Sequence, residues 1–434
     1  MTHTLSHAQT ERAYLVAVDQ HENESVWSVE DSLSELGILA RTAGAHVVGS
    51  MIQHLRHPDN TTYLGKGRVQ ELAELEKNLG FDFVIFDDEL SPSQQRNLEK
   101  LLHARVLDRT ALILDIFAQH ARTREGRLQV ELAQLEYRLP RLAGSGTELS
   151  RQSGGSRSAG SGGAGGAIGV RGPGETRLEM DRRRIRGRIS ELREEIEVVR
   201  EVRKLHRQQR MAQLFPVIAV VGYTNSGKST LFNALTSSEV LAANMLFATL
   251  DPTTRHILLP NNQEALLTDT VGFIQKLPTK LIAAFRATLE EVIEADLLLE
   301  VVDVVHENAI EQSETVNEIL HSLDVADKPR VTALNKIDLL EDQSEVDISL
   351  YPNAVALSAL HQTGLDELRA KIAEVLAKSM EQVQVVVPYE KSDLVELFHR
   401  RGHVVCEEHH AEGTLLEGTL PRSLRGYYQP YQKK

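Results

Sequence analysis

Residues 215–230 read FPVIAVVGYTNSGKST, and this stretch decides the fold. The apolar run Val217 to Val221 has the character of a buried strand, and the helix-forming residues LFNAL follow the stretch. Between them stands Gly222-Tyr223-Thr224-Asn225-Ser226-Gly227-Lys228-Ser229, which is G-x-x-x-x-G-K-S in a strand, loop and helix context. The residue types suit a polyphosphate. Glycines let main-chain N–H groups surround the β-phosphate, Lys228 neutralises the β and γ phosphates, and the Ser229 hydroxyl can hold magnesium.

Further along, Asp269-Thr270-Val271-Gly272 ends the strand ALLTDT. Asp269 fits the carboxylate that holds magnesium through water, and Gly272 can turn its N–H toward a γ-phosphate. Upstream, Phe247-Ala248-Thr249-Leu250-Asp251 opens a segment rich in hydroxyls. It resembles the FxTL patterns of GTPases, which implies Thr249 as the second hydroxyl on magnesium; Thr253 and Thr254 also fit, because spacing alone does not register such a segment. Asn335-Lys336-Ile337-Asp338 follows the strand RVTAL and resembles the guanine-reading N-K-x-D motif. The Asp338 carboxylate can accept from both the ring N–H and the exocyclic amine of guanine, a pair of donors that adenine lacks. Ser358-Ala359-Leu360, after NAVAL, resembles the short loop that supports guanine through a main-chain N–H. The expected nucleotide is GTP, with GDP as product. After Gly272 comes Phe273, where many regulatory GTPases carry a glutamine that orients water. Phe273 can neither donate nor accept a hydrogen bond, so slow intrinsic hydrolysis is expected, and the catalytic group is left unassigned.

Upstream of this region the chain alternates strand-like and helical stretches from AYLVAVD at Ala13 to FDFVIFDD, which predicts a small parallel α/β sheet. Within it, YLGKGR places glycines around Lys66 at a helix start, which reads as a tight turn, with an anion site on unpaired N–H groups as the alternative. Next, Leu128, Leu132, Leu135, Leu139 and Leu142 are spaced 4, 3, 4, 3, and Ile185, Ile189, Leu192, Ile196 and Val199 repeat that spacing. Two such seams predict an antiparallel helical hairpin. The glycine-serine run SGGSRSAGSGGAGG, Ser153 to Gly166, sits at its tip, and GVRGPGETRLEMDRRRIRGR carries Arg171, Arg177, Arg182, Arg183, Arg184, Arg186 and Arg188. The charge run reads either as a solvated helix face or as an RNA contact.

The 434-residue chain carries a net charge of −14, yet residues 141–210 hold 16 Arg and Lys against 9 Asp and Glu. An acidic protein with one basic segment points to a local rather than a global polyanion contact. Cys406 is the only cysteine, so an internal disulfide is excluded, and no apolar run approaches the length of a membrane span. No secretory signal is readable at the amino terminus. A cytoplasmic protein is expected, with a peripheral membrane-associated fraction allowed but no stable membrane insertion. In the tail, VQVVVPY, SDLVELFHRR, HVVCEEH and GTLLEGTLP predict two or three strands and a helix. His399, His403, Cys406, His409 and His410 lack paired-cysteine spacing, and alternation along the strand turns neighbours to opposite faces, so no structural metal is expected there.

With YLGKGR, GVRGPGETRLEMDRRR, GYTNSGKS, FATLDPT, DTVGF and NKID in this order, the chain resembles the HflX family of ribosome-associated GTPases over nearly its whole length. The resemblance implies a multidomain α/β fold: an amino-terminal α/β domain (11–109), a helical subdomain with the hairpin and glycine-rich tip (110–212), a P-loop GTPase domain (213–378) and a small α+β carboxy-terminal domain (379–434). It further implies a magnesium-dependent GTP hydrolase, monomeric when free, that binds the large ribosomal subunit and its RNA and splits stalled ribosomes under stress. The alternatives are an assembly or RNA-processing GTPase acting on immature subunits, and a nucleotide-gated scaffold. One departure from the family pattern is the added SGGSRSAGSGGAGGA between Arg151-Gln152 and Ile168-Gly169-Val170-Arg171, which reads as a neutral low-complexity insertion, with an extension of the tip's reach as the alternative.

Overall fold

The computed structural model describes residues 11–20, 27–142, 173–211, 215–236, 246–247, 252–260, 263–276, 286–340, 347–421 and 424–432. The chain divides into two compact units whose boundary falls between Val198 and Val199.

The first unit opens with a four-stranded parallel sheet of order β2-β1-β3-β4, made of β1 (Arg12–Gln20), β2 (His46–Leu55), β3 (Phe83–Phe86) and β4 (Arg105–Asp108). Helices α1 (Val29–Thr42), α2 (Lys66–Leu79) and α3 (Pro92–Leu102) make the crossovers that parallel pairing requires. Their ends are written in short polar signals. Ser28 caps α1 by accepting from the Asp31 N–H, and Ser91 with Gln94 forms a reciprocal capping box ahead of Pro92 in α3. Val16, Val84, Phe86, Leu72, Leu98 and Val106 fill one core of this unit. Arg109, at the start of α4 (Arg109–His120), is 2% exposed and bonds Asp87 at 2.7 Å and Glu35, so the buried charge is paired.

Helix α5 (Arg124–Arg141) begins the predicted hairpin, and α6 (Pro173–Met211) returns. Leu128 and Leu132 on one helix and Ile189 and Leu192 on the other are buried. The ion pairs Arg124–Glu195 and Arg188–Glu131 run in opposite chain order, as an antiparallel pair demands. Arg141 anchors the end of α5: its guanidinium donates to Asp108 at 2.9 Å and to the Leu90 carbonyl at 2.8 Å, and stacks over Tyr137. The glycine-serine run 153–166 lies outside the described residues.

The second unit holds a six-stranded sheet of order β10-β9-β8-β5-β7-β6. Strand β6 (Thr253–Leu259) pairs antiparallel with β7 (Gln263–Asp269); β5 (Val217–Gly222), β8 (Leu297–Asp303), β9 (Arg330–Asn335) and β10 (Ala354–Ala356) are parallel. The central strands are buried on both faces, which explains their near-continuous apolar sequences. Helices α7 (Lys228–Thr236), α8 (Arg286–Glu294) and α9 (Ala309–Ser322) lie between its strands, and α10 (Leu365–Ser379) follows β10 and leads into the tail. The tail forms an antiparallel sheet of order β11-β13-β12, from β11 (Met380–Val387), β12 (His403–His410) and β13 (Gly413–Pro421), with α11 (Ser392–Arg401) alongside. Phe398, Val385, Leu416 and Tyr428 share its core. The expected fold class, with parallel sheet, helical hairpin, P-loop domain and small α+β tail, is the one observed.

Candidate functional site

The phosphate loop is built where β5 ends. Gly222 has φ +144, and a Cβ there would lie 2.4 Å from the Val301 carbonyl oxygen; Gly227 has φ +97, and its Cβ would lie 2.2 Å from Asn335 Nδ2. Both glycines are therefore required by conformation and by space. Asn225, between them, is also left-handed at φ 62.

Lys228 is the first residue of α7 and 7% exposed; its ammonium donates to the Tyr223 carbonyl at 2.6 Å. Burial lowers its pKa to about 8, partly opposed by the negative charge of Asp269. Beside it the Ser229 hydroxyl donates to Asp269 Oδ2 at 2.8 Å. The Thr224 and Ser226 hydroxyl oxygens are buried and, among the described residues, make no hydrogen bond. Such groups suit a ligand rich in acceptor oxygens.

The Asp269-Thr270-Val271-Gly272 segment lies against this loop. Thr270 Oγ1 donates to the Val220 carbonyl at 2.5 Å. Val271 is buried, and a Cβ on Gly272 would come within 2.9 Å of both Lys228 Nζ and Thr224 Cγ2. Main-chain bonds then join the two segments. The Phe273 N–H donates to the Gly222 carbonyl at 3.1 Å, and the Thr224 N–H donates to the Phe273 carbonyl at 2.8 Å. The Gln275 N–H donates to the Tyr223 hydroxyl at 2.9 Å. The Phe273 ring is 2% exposed and belongs to the interior.

Asn335, at the end of β9, joins the two ends of the site. Its Nδ2 donates to the Ser226 carbonyl and its Oδ1 accepts from the Ala359 N–H, both at 2.9 Å. Lys336 takes a left-handed φ of 72, and its ammonium reaches the Asn225 carbonyl at 3.1 Å and Asp303 Oδ2 at 2.6 Å. Ile337 and Asp338 form a short 3-10 turn, and the Ile337 N–H points to the Leu357 carbonyl at 3.4 Å. Ser358 exchanges two main-chain bonds with Thr363, each 3.1 Å, and leaves Leu360 72% exposed.

The sequence-predicted residues from 222–229, 269–272, 335–338 and 358–360 thus gather at the carboxyl ends of β5, β7, β9 and β10. Phe247 is buried with φ 58; Ala248, Thr249, Leu250 and Asp251 lie outside the described residues. Of the alternative threonines, Thr254 shares a hydrogen bond with Thr268 at 3.0 Å. Asp303 and His361 were missed by sequence reading. Asp303 left one signal, an acid closing the apolar strand LLLEVVD.

Away from this site, Arg183, Arg184 and Arg186 are exposed on α6 and Arg182 is half-buried, and none is ion-paired among the described residues. Arg188 differs. Its guanidinium bonds Glu131 at 2.9 and 3.1 Å and Glu195 at 3.2 Å, and these carboxylates hold its proton more firmly than usual. Arg171 and the side chain of Arg177 lie outside the described residues. The anion alternative at Lys66 meets a helix start whose cap, Gly65, has no side chain to cap it and whose own N–H donates to Gln53 Oε1 at 3.0 Å; Asp59 and Tyr63 close the turn before it by two main-chain bonds. In the tail, His399 pairs with Glu407 at 2.9 Å and His410 with Glu408 at 3.4 Å. No helix among the described residues is long and apolar enough to cross a membrane.

Three family models match in succession: "GTP-binding GTPase N-terminal" over residues 30–118, "GTP-binding GTPase Middle Region" over 120–210, and "50S ribosome-binding GTPase" over 217–336. Among curated proteins, the GTPase HflX of Caldanaerobacter subterraneus subsp. tengcongensis is 46% identical over 94% of this chain and 91% of its own. The GTPase HflX of Escherichia coli (strain K12) is 42% identical, over 90% of each chain. A solved GTP-binding protein from Sulfolobus solfataricus, in complex with GDP, is 27% identical over 85% of this chain and 99% of that one, with a TM-score of 0.42. With successive family matches and relatives of this identity along nearly its whole length, the chain belongs to the HflX family of GTPases.

Proposed function

We propose that this protein binds and hydrolyses GTP at the site described, binds the large ribosomal subunit through its hairpin, and separates stalled or idle ribosomes in the GTP-bound state. The observation that carries the nucleotide part is the Asn335 bridge, which holds the phosphate loop and the base-reading turn in one fixed relation. Gly222 to Ser229 would wrap the phosphates, with Lys228 on the β and γ groups. Lys336 and Leu360 would flank the base, and Asp338 would accept from its two N–H donors. Asp269, Thr270, Val271 and Gly272 would sense the γ-phosphate.

The donor set fits magnesium, a hard cation that favours oxygen ligands. Ser229 Oγ stands 2.8 Å from Asp269 Oδ2, so a hydroxyl and a carboxylate already converge beside the phosphate loop. Ser229 and Thr249 would hold the ion, with Asp269 acting through water, and the ion supplies charge neutralisation between the β and γ phosphates.

The matched family description names a 50S ribosome-binding GTPase, which supports the ribosomal partner. Exposed Arg183, Arg184 and Arg186 supply cations for RNA phosphates, and half-buried Arg182 adds one at their edge. Arg171 and Arg177 are assigned the same role.

Hydrolysis is measured for the purified protein alone and with mature large subunits, with and without residues 153–166, while sedimentation follows intact ribosomes. Stimulation together with GTP-dependent loss of intact ribosomes is expected. Stimulation by precursor particles only would replace this reading with subunit assembly, and stable occupancy without turnover would replace it with a scaffold.

A further inference from the structure

We infer that His361 tunes base recognition, acting through the Asp338 carboxylate by competing with the base for one of its oxygens when the ring is charged; this rests on the guanine-reading role proposed for Asp338. His361 Nε2 lies 3.7 Å from Asp338 Oδ2, with the imidazole 62% exposed and the carboxylate 17%. At that separation the contact is too long for a hydrogen bond and is an ion pair only when the ring carries a proton.

The loop that presents His361 is fixed. Ser358 and Thr363 exchange two main-chain bonds, the His361 N–H donates to Ser358 Oγ at 3.2 Å, and the Ala359 N–H is held by Asn335. Gln362 is left-handed at φ 57, and Gly364 at φ +77 has no room for a side chain, since a Cβ would lie 2.6 Å from the Ala356 carbonyl oxygen. The main chain that carries the ring is therefore held in place beside Asp338. Charged groups near this turn have partners of their own: Lys336 is drawn to Asp303, and Asp366, in the first turn of α10, to Arg369. Glu367 is the other acid of that first turn.

Guanine offers two N–H donors to one carboxylate. A protonated His361 competes for Oδ2 and cancels part of the charge those donors seek, whereas the neutral ring leaves both oxygens to the base. Histidine is the side chain whose charge changes near neutral pH. A positive charge at position 361 is therefore expected to lower GDP affinity, by about two- to five-fold for a pair this exposed.

The test is GDP and ADP binding by the full chain at about pH 6 and about pH 8, for the wild type, His361→Gln and His361→Lys. The Lys228 and phosphate protons titrate equally in all three, so the differences isolate residue 361. The wild type should weaken for GDP by about two- to five-fold more than His361→Gln on acidification. His361→Lys should bind GDP more weakly than His361→Gln at both pH values. Equal pH dependence in the wild type and His361→Gln would overturn the inference while leaving guanine recognition intact. GDP binding no tighter than ADP binding would overturn the guanine reading itself, and this inference with it.

Discussion

Replacing Asn335 with alanine tests whether one amide holds the two ends of the site together. The side chain donates to the Ser226 carbonyl and accepts from the Ala359 N–H, each at 2.9 Å, and all three residues are buried, at 3%, 1% and 3% exposure respectively. Truncation strands one buried carbonyl and one buried N–H. Each unsatisfied group costs about 1–3 kcal/mol, so a loss of about 2–6 kcal/mol is expected in the unliganded protein, less wherever water can enter. If half of that is spent on separating the loops during nucleotide binding, GDP affinity falls by about five- to 150-fold. Urea unfolding and GDP titration on the same preparations measure the two parts. Asn335→Asp should do no better at neutral pH, because it keeps an acceptor for Ala359 but sets a carboxylate oxygen against the Ser226 carbonyl. Gly227→Ala adds a sharper check, since its Cβ would collide with Asn335 Nδ2 at 2.2 Å. The collision disappears once Asn335 is alanine, so the two losses should fall short of additivity by about 1 kcal/mol or more. An Asn335→Ala protein within about 0.5 kcal/mol of wild type, with GDP affinity within about twofold, would refute the bridge as an energetic element.

Phe273→Gln should not speed hydrolysis, because the position points into the interior; an amide buried there should lower stability by about 1–3 kcal/mol, seen as a lower urea midpoint at an unchanged single-turnover rate. Lys228 has a folded pKa of about 8, below its usual value of 10.5, so the unfolded chain binds more protons between these limits and stability rises with pH across that window. The rise attributable to Lys228 is roughly 3 kcal/mol at most, and it should be absent from the unfolding curves of Lys228→Met. Changing Arg183, Arg184 and Arg186 together to glutamine should weaken large-subunit binding and reduce its salt dependence by about three counterions, with intrinsic hydrolysis unchanged. Arg188→Gln should instead lower the unfolding midpoint, because Arg188 already serves Glu131 and Glu195.

The parts legible in the sequence are those whose chemistry sits within a few consecutive residues. The Gly222 to Ser229 loop, the Asp269 to Gly272 turn and the heptad seams of α5 and α6 each announce themselves by spacing, because local main-chain geometry demands those residue types. What stayed hidden depends on strand register. Lys336 meets Asp303 because β8 and β9 align Asp303 with Asn335, and no window on the chain contains both. Asn335 reads in sequence as part of a base-recognition motif, yet its amide reaches main-chain groups of two other loops. Arg188 sits in a run of arginines that looks uniform; only the facing helix, with Glu131, separates it from Arg183, Arg184 and Arg186.

The join between the phosphate loop and the segment after Gly272 is made by three amide protons, those of Thr224, Phe273 and Gln275. Two of their acceptors are main-chain carbonyls and the third is the Tyr223 hydroxyl, so the join carries a native isotopic reporter. These protons exchange with deuterated solvent only while the two segments are apart. Their exchange rates, followed by peptide mass or by nuclear magnetic resonance, give the population of the separated state in the full-length protein without any label. Comparing those rates with GDP, with a non-hydrolysable GTP analogue and with neither would count how often each ligand lets the two segments part.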